Sequence, residues 1–376
     1  MPPTQWQKAT NSMRWLPAYC WQRLARPAPK GETVDLIFAL ADHFEPATLP
    51  GPGGRFADLA TQRQRLERWC REYPALVEAW PDSDGQPFRH TYFYPAEQYE
   101  RGMIQQLAEH CRAGWGEIEV HLHHGLQGPD TADHLRETLT EFRDALAQEG
   151  CLCRMEGDSA PRYAFVHGNF ALANSRGGRF CGVDSEMQVL RETGCYADFT
   201  LPSAPLESQV AKINAIYECS LPLDRAVPHR RGRDLGRGHM PEFPLIIQGP
   251  LGLRERKRFP FVGIENGDLT TGNPPSAGRV ALWRRASVQV KGEPNWIFIK
   301  LHCHGMSPKD EAAMLGPLMA QFLRELTALR EADRRVRVHF VTARELVNIA
   351  LAACDGHSGD PNQYRNHRLL PLAPGR

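Results

Sequence analysis

The stretch VDLIFALADHFE occupies residues 34–45 and joins an apolar run to a polar end. Residues 36–41 are apolar at every position, which is typical of a strand that is buried on both faces of a parallel sheet. Asp42, His43 and Glu45 follow directly. Active sites of α/β folds form at the carboxyl ends of the strands, so this stretch predicts one corner of such a site.

Two later stretches repeat this arrangement of an apolar run that ends in histidines. They read EIEVHLHH at residues 117–124 and WIFIKLHCH at residues 296–304. Imidazole is the commonest protein ligand for divalent transition metals, and it is also an acid–base group near neutral pH. Three strands that each end in such groups predict a catalytic rim at one edge of the sheet.

Between these stretches, short apolar segments alternate with segments of helical periodicity. Further strands are predicted at residues 89–94, 163–167, 197–200, 245–248, 261–264 and 336–341. Helices are predicted at residues 56–79, 95–111, 130–148, 184–192, 309–331 and 344–353. This alternation predicts an α/β fold with a largely parallel sheet or barrel.

The predicted domain organisation is simple. Residues 1–30 form an N-terminal arm, or alternatively an amphipathic surface helix, because tryptophans and basic residues are mixed there. Residues 31–355 form one barrel domain, and residues 356–376 form a loosely ordered tail. A proline-rich and arginine-rich insert near 221–258 is predicted to run irregularly over the barrel mouth. Its basic run is interpreted as solvated, with contact to an anionic substrate group as the alternative.

Composition places the chain among ordinary globular proteins. Its 376 residues are 41% hydrophobic and 24% charged, and the net charge is +1. That charge provides no long-range field to gather nucleic acid or anionic lipid. No apolar run approaches the roughly 20 residues of a membrane span, and no secretory signal is recognised, so we expect a cytoplasmic protein without stable membrane insertion. The ten scattered cysteines are predicted to be reduced thiols.

The alternation of side chains along a strand predicts which histidines of residues 121–124 point the same way. His121 and His123 share one face and can point together into a cavity. If the strand ends at His121 and the chain turns helically, His124 replaces His123 as the second ligand. Asp42, or Glu45 as the second choice, would complete a set of two histidines and one carboxylate for a hydrolytic divalent metal, predicted to be zinc. The alternative is that these histidines only make hydrogen bonds at a polar strand end.

The second histidine cluster suggests the acid–base chemistry. His302 and His304 share a strand face, and a histidine near a metal site can protonate a leaving group or stabilise an oxyanion. Asp198 is a candidate catalytic carboxylate, since an acidic side chain beside a histidine orients it. Three further strand-end or turn residues are candidate substrate-binding groups: His167, Asn169 and Glu265.

The order of these motifs resembles the polysaccharide deacetylase (NodB-homology) family, whose members are carbohydrate esterases on a distorted (β/α) barrel. The resemblance covers roughly residues 34–353 apart from the insert. It is carried by the segments Leu36 to Asp42, Glu117 to His121, Asp198-Phe199, Leu301-His302 and Val338 to Leu346.

The resemblance implies roles for three residues and shows departures at three places. It implies that Asp42 and His121 bind a metal and that His302 is the acid. The first motif reads Ala41-Asp42-His43 where the family has paired aspartates. The second histidine follows His121 at a spacing of two or three residues where the family has four. The segment at residues 167–170 replaces an Arg-Pro-Tyr segment of the family.

The leading functional prediction is a metal-dependent hydrolase that removes an N- or O-acyl group from a carbohydrate. One alternative is a glycosidase on the same barrel, in which Asp42 works with Glu265 or Asp198. Another is a non-catalytic carbohydrate-binding protein that uses aromatic residues 92–94 as stacking platforms.

Overall fold

The computed structural model describes residues 4–27, 29, 33–49, 56–256, 261–308 and 310–373. In this part of the chain the strands are β1 (Val34–His43), β2 (His90–Pro95), β3 (Gly116–Leu122), β4 (Cys153–Met155), β5 (Tyr163–His167), β6 (Cys195–Asp198), β7 (Ile216–Cys219), β8 (Gly232–Asp234), β9 (Leu245–Ile247), β10 (Gly252–Glu255), β11 (Val262–Glu265), β12 (Asp268–Leu269), β13 (Trp296–Cys303), β14 (Val336–Val341) and β15 (Leu369–Pro371).

The helices are α1 (Gln5–Met13), α2 (Leu16–Ala25), α3 (Leu59–Val77), α4 (Arg101–His110), α5 (Ala132–Gln148), α6 (Glu186–Glu192), α7 (Ala277–Ala286), α8 (Glu311–Met314), α9 (Pro317–Ala332) and α10 (Ala343–Cys354). Side chains cap several of their first turns. Asp58 accepts a hydrogen bond from the Thr61 N–H at the start of α3, and Thr342 forms a capping box with Glu345 at the start of α10.

One large, mostly parallel sheet organises the chain. Strands β12, β13, β1, β2, β3, β5, β6 and β9 lie side by side in that order, and β7 and β8 extend the β9 edge in antiparallel orientation. β14 pairs with residues 34–39 of β1, and β2 pairs with residues 40–43. Because the central strands are parallel, their carboxyl ends and the polar residues that follow them meet at one edge of the sheet.

Alternation along β1 divides the core into two layers. Leu36 and Phe38 pack in a layer with residues of α3, α4, α5 and α9, which we call the helix layer. Ile37 and Ala39 pack in a layer that contains most of α10, which we call the α10 layer. All twelve residues of α10 are buried. A helix that is covered on every side lies inside the protein, so α10 is part of the core and not a surface helix.

The predicted α/β class is confirmed by this large, mostly parallel sheet. The predicted strands at 34–41, 117–121, 297–301 and 336–341 correspond to β1, β3, β13 and β14. Within the described ranges, the sheet extends from β12 at one edge to β8 at the other, and these two edge strands do not pair with each other. The closed barrel therefore stays a prediction.

Two segments predicted to be irregular contribute regular structure. In the described part of residues 221–258, β8 and β9 belong to the main sheet, and β9 lies between β6 and β7. The apolar residues of β9 are fully buried, so three residues suffice to insert a strand there. The segment after Gly359 contains β15, which pairs with β4, and its Arg365 forms ion pairs with Asp84 and Glu345. These contacts hold a segment that was expected to be loose.

The helix predicted at 309–331 is divided in the structure. Its first residue, Lys309, lies outside the described residues, and the remainder forms α8 and α9 on either side of Gly316. Pro317 begins α9, as expected for a residue that lacks an N–H group to donate. In the N-terminal arm, α1 and α2 flank Trp15, which is buried. Among the described helices, none has both the length and the apolar character needed to cross a bilayer.

Candidate metal centre

The register of β1 determines which of its last residues faces which layer. Even-numbered residues up to Leu40 pack in the helix layer, and odd-numbered residues up to Ala41 pack in the α10 layer. Asp42 therefore faces the helix layer, and His43 continues the α10 face. His121 on β3 and His302 on β13 also lie on the α10 face, because the residues on either side of each pack in the helix layer.

Three strand ends contribute the same two-residue pattern. β1, β3 and β13 each carry one buried residue near the carboxyl end and a partly exposed residue two positions later. We call these six residues the strand-end cluster: His43, Glu45, His121, His123, His302 and His304. The cluster has a buried floor and an accessible rim, as a site that receives a substrate requires.

The three strand ends converge on His43. Its ring centroid lies 5.0 Å from that of His121, 4.6 Å from that of His304 and 6.4 Å from that of His302. Ligand-type atoms lie within 4.8 Å of one another in two groups that share Glu45, namely His43–Glu45–His304 and Glu45–His121–His123. Imidazoles from separate segments and one carboxylate therefore share a small volume.

A hydrogen bond fixes the proton of His121. Its Nδ1 lies 2.7 Å from the carbonyl oxygen of Val166, which can only accept, so Nδ1 carries the proton of the neutral ring. The lone pair on Nε2 then faces Glu45 Oε1 at 3.3 Å. Two acceptors in this arrangement need a proton or a cation between them, and a lone pair of this kind is what a metal ion binds.

Burial and neighbouring charge keep His43 neutral. Burial is the largest effect that lowers its pKa well below the ordinary value, and the imidazoles of His304, His121 and His302 lower the pKa further. Burial alone would raise the pKa of the Glu45 carboxyl, but its close contact with His121 and the nearby His304 hold that pKa below the usual range. The cluster thus combines a neutral imidazole at His43 with an ionised carboxylate at Glu45.

Two neighbours position His123. Its Nδ1 lies 2.6 Å from Glu97 Oε1, and its Nε2 lies 3.7 Å from Glu45 Oε1. On another side, a β-carbon at residue 168 would overlap the His123 ring, so only glycine fits there. The sequence suggests that Gly168 allows a substrate to approach, whereas in the structure it allows the ring of His123 to approach.

A cavity of about 230 Å³ opens beside the cluster, and His302 and His304 form part of its wall. The Nδ1 atom of His302 is buried without a hydrogen-bond partner, and its Nε2 lies 3.8 Å from Asp268 Oδ1. Burial, and then the positive charge of Lys300, lower the pKa of His302 well below the ordinary value. His302 is therefore a neutral imidazole at the cavity wall.

Asp42, predicted as a metal ligand and catalytic residue, does not join His121. Its Oδ2 lies 2.9 Å from His90 Nδ1, and its Oδ1 accepts a 2.7 Å hydrogen bond from the Gly305 N–H. The physical reason is strand parity, because residue 42 faces the helix layer. Glu45, the second choice from the sequence, lies beside His121 instead.

His124 and His167 meet each other and not the strand-end cluster. Their Nε2 atoms are 2.9 Å apart, and both rings are buried. With Cys181 and Glu186 they form a second group, in which the ligand-type atoms lie within 4.8 Å of one another. The adjacent residues His123 and His124 therefore belong to different groups, because His123 is part of the strand-end cluster. The predicted substrate-binding residue His167 is enclosed in the second group.

The other predicted site residues have local partners. Asp198 accepts hydrogen bonds from the backbone N–H and the hydroxyl group of Thr200, and burial raises its pKa to about 7. Glu265 is buried and forms an ion pair with Arg279 at 2.7 Å. Asn169 lies in the turn after β5 with a left-handed backbone, at φ 55°. Asp198 and Glu265 are thus engaged by the protein itself.

Sequence reasoning assigns no role to His43, Glu97 or Cys181. A signal for His43 exists in the sequence, because the same two-residue spacing occurs at residues 43/45, 121/123 and 302/304. Glu97 lies in a short turn of 3₁₀ helix after β2, and Cys181 lies in the loop before α6. Neither residue belongs to a periodic sequence pattern from which its contacts in the folded protein could be predicted.

Comparison with known proteins gives a distant likeness among solved structures. No family model matches the chain, and no curated protein matches it. A solved structure described as "Crystal structure of putative polysaccharide deacetylase from Mycobacterium smegmatis" aligns with a TM-score of 0.42 and 15% sequence identity, over 88% of this chain and 94% of that chain.

Proposed function

We propose that this chain is a metal-dependent hydrolase that removes an N- or O-acyl group from a carbohydrate. The observation that carries the proposal is the convergence of three strand ends, which brings His43, His121 and His304 around Glu45 next to a cavity walled by His302. The acyl group and the carbohydrate are implied by the sequence resemblance to polysaccharide deacetylases. The proposal places the cluster at the mouth of a distorted (β/α) barrel.

The donor set of the strand-end cluster fits a divalent metal ion such as zinc. Neutral imidazoles with one carboxylate are the ligands of many hydrolytic zinc sites. The lone pair of His121 that faces Glu45 is a second reason, because a cation would satisfy both atoms. We propose His43, Glu45, His121 and His304 as ligands, with His123 as a further ligand at the rim. When bound, such an ion polarises a carbonyl group and lowers the pKa of water.

His302 is the proposed acid–base residue. Because its imidazole is neutral, it can take a proton from water and return that proton to the departing amine or alcohol. Its unpartnered Nδ1 leaves one ring nitrogen available, and Asp268, 3.8 Å from Nε2, can orient the ring. His302 therefore keeps the acid role that the resemblance implies for it.

The cavity offers groups suited to a sugar. Hydroxyl, amide and carboxylate side chains alternate with apolar ones along its wall, which is the mixture that binds a ring with hydroxyl groups on its edge and C–H groups on its faces. The polar residues in the wall are Ser203, Asn266, Asp268, Thr270 and Asp310, and the apolar ones include Phe170 and Leu206.

The two alternative functions receive no such support. A glycosidase needs two carboxylates about 5–9.5 Å apart across the cavity. The predicted candidates Asp42 and Glu265 are held by His90 and Arg279 instead. The aromatic residues 92–94, suggested as stacking platforms for sugar binding, are each 0% exposed and cannot contact a sugar from solvent.

The test is release of acetate from N-acetylated chitooligosaccharides and from O-acetylated xylan. We expect release by protein loaded with zinc, cobalt or manganese and none by metal-free protein. The variant His43→Ala should lose both the metal and the activity. His302→Gln should keep the metal and lose about 10²–10⁴-fold in kcat. His367→Ala, in which the replaced histidine pairs only with Asp355 at 2.7 Å, is the matched control and should keep both.

Each opposite result has a clear meaning. Equal acetate release with and without metal would contradict the metal-dependent reaction. New reducing ends without acetate would indicate a glycosidase. Binding of the sugars without any product from the metal-loaded protein would indicate a binding protein.

A further inference from the structure

A second cluster of metal-ligand side chains lies apart from the strand-end cluster. It consists of His124 after β3, His167 at the end of β5, Cys181 in the following loop and Glu186 at the start of α6. All four residues are buried, and the relative exposure of His124, the most exposed of them, is 5%. Their nitrogen, sulfur and oxygen atoms lie within 4.8 Å of one another.

Backbone contacts bring the two loops of this cluster together. The Phe180 N–H donates to the Gly125 carbonyl oxygen at 3.2 Å, and the Asp130 N–H donates to the Cys181 carbonyl oxygen at 2.8 Å. Gly125 has a φ of +64°, and a β-carbon at this position would overlap the backbone of Cys181. The loop after His124 is therefore fitted closely against the loop that carries the thiol.

The protons of the two histidines are assigned by their outer partners. His167 Nδ1 lies 2.6 Å from the Gly168 carbonyl oxygen, and His124 Nδ1 lies 2.9 Å from Asp130 Oδ2. A carbonyl oxygen and a carboxylate only accept, so both Nδ1 atoms carry protons, and the Nε2 atoms are the ring nitrogens that can bind a metal ion. This is the arrangement that outer-shell partners impose on metal-binding histidines.

The two Nε2 atoms and a carboxylate oxygen converge in this cluster. The two Nε2 atoms are 2.9 Å apart, and Glu186 Oε1 lies 3.0 Å from that of His124 and 3.3 Å from that of His167. Cys181 Sγ lies 3.6 Å from Glu186 Oε2. Burial lowers the pKa of His124, but its hydrogen bonds with Asp130, Cys181 and Glu186 raise that pKa to about 12, so in the metal-free protein one proton lies on its Nε2 between His167 and Glu186. A metal ion would replace this proton and would also bind the Cys181 sulfur.

The identity of the donors selects the cation. A thiolate with two imidazoles excludes calcium and magnesium, which take oxygen ligands, and favours zinc. Four protein ligands leave no open position, as in structural zinc sites. Glu186 Oε2 is fixed by the Ala173 N–H, and a cavity of about 420 Å³ whose wall includes His124 and Asp130 gives a path of entry.

We propose that His124, His167, Cys181 and Glu186 form a closed, structural zinc site that joins the loop after β3 to the loop before α6. The site is separate from the strand-end cluster and does not depend on the proposed hydrolase activity. It also explains why the adjacent residues His123 and His124 point into different clusters.

Zinc-edge X-ray absorption and cobalt substitution test this site in the full-length protein. Zinc-loaded protein should show a sulfur scatterer at about 2.3 Å. Cobalt-loaded protein should show a thiolate-to-cobalt charge-transfer band. The variant Cys181→Ser should lose both signals. Cys195→Ser is the matched control, because its thiol is equally buried and also lies near a carbonyl oxygen two residues on. It should keep both signals.

The variant His121→Ala separates this proposal from the proposed function. It should lose the metal of the strand-end cluster and keep one zinc per chain together with the sulfur signal. A sulfur signal that is absent from the wild type, or that persists in a folded Cys181→Ser variant, would overturn the second site. If Cys181→Ser does not fold, the wild type and His121→Ala still test the second site. Absence of a sulfur scatterer around their zinc would overturn it.

Discussion

The imidazole ring of His123 lies against the backbone of Gly168, with no room for a β-carbon between them. Gly168 follows β5, whereas His123 follows β3, so this contact joins two neighbouring strand ends at the rim of the strand-end cluster. Any side chain at residue 168 must displace this ring, whose Nε2 lies 3.7 Å from Glu45 Oε1.

We expect Gly168→Ala to weaken metal binding by the strand-end cluster about tenfold or more, which is the scale of losses when an orienting contact is removed. Competition with a chromophoric chelator measures the dissociation constant. Gly128→Ala is the control, because a β-carbon at residue 128 meets no atom within 4 Å. An unchanged affinity in Gly168→Ala would show that His123 takes no part in the metal site.

A second prediction concerns the carboxylate behind His123. Glu97 Oε1 lies 2.6 Å from His123 Nδ1, and Glu97 together with Glu45 raises the pKa of this histidine against the effect of burial. We expect Glu97→Gln to lower the metal affinity about 10–100-fold, because the amide orients the ring without its charge. The same chelator titration applies. Glu192→Gln, which removes an exposed ion pair with Arg136, should leave the affinity unchanged.

Asp42 should be important for stability and not for metal binding. Removing its carboxylate in Asp42→Ala leaves the Gly305 N–H and His90 Nδ1 without a buried partner. Each such group costs about 1–3 kcal/mol, so we expect the free energy of unfolding to fall by about 2–6 kcal/mol, measured by urea denaturation of the metal-free protein. Metal affinity should stay at the wild-type value, whereas Glu45→Ala should reduce it. The reverse pattern would restore Asp42 as the ligand that the sequence suggests.

Asp198 should make stability depend on pH in a defined direction. Burial raises its pKa from 3.8 to about 7, so the folded state holds this proton more tightly than the unfolded state. The stabilisation is complete below pH 3.8 and is lost as the pH rises through about 7. We expect the free energy of unfolding of the wild type, relative to Asp198→Asn, to fall between pH 4 and pH 7.

Urea denaturation at several pH values measures this difference. Asp133→Asn, at a side chain that is 98% exposed, is the control and should follow the wild type. Parallel curves for the wild type and Asp198→Asn would contradict the assignment of a raised pKa to Asp198.

Periodicity was sufficient for the fold class and for two of the three strand ends. The common face of His302 and His304 follows from alternation along the predicted strand. In EIEVHLHH the polar and apolar residues alternate, so the common face of His121 and His123 can be read directly, and the structure has it. In the β1 stretch both faces are apolar and buried, and nothing in the pattern distinguishes the face of Asp42 from that of His43. When both faces of a strand are buried, the packing of neighbouring elements determines which way its last residues point.

The second cluster could not be predicted in this way. Cys181 and Glu186 reach the histidines through loop contacts, such as the close fit of Gly125 against Cys181, and these contacts have no period in the sequence. The three-residue strand β15 was not predicted for a similar reason, because so short a segment becomes a strand only when a neighbour with free hydrogen-bonding groups lies beside it.

His123 and His124 are adjacent in sequence but belong to different clusters. In the same way, His167 belongs to the second cluster, whereas Gly168 contacts His123 of the strand-end cluster. This arrangement constrains how the chain length can vary. Inserting or deleting one residue before 123–124 or before 167–168 would exchange the residues that face the two clusters. Both clusters would then be disrupted together. Related chains can therefore lose one cluster alone only by replacing side chains, and insertions between the two pairs must fall well away from the strand ends.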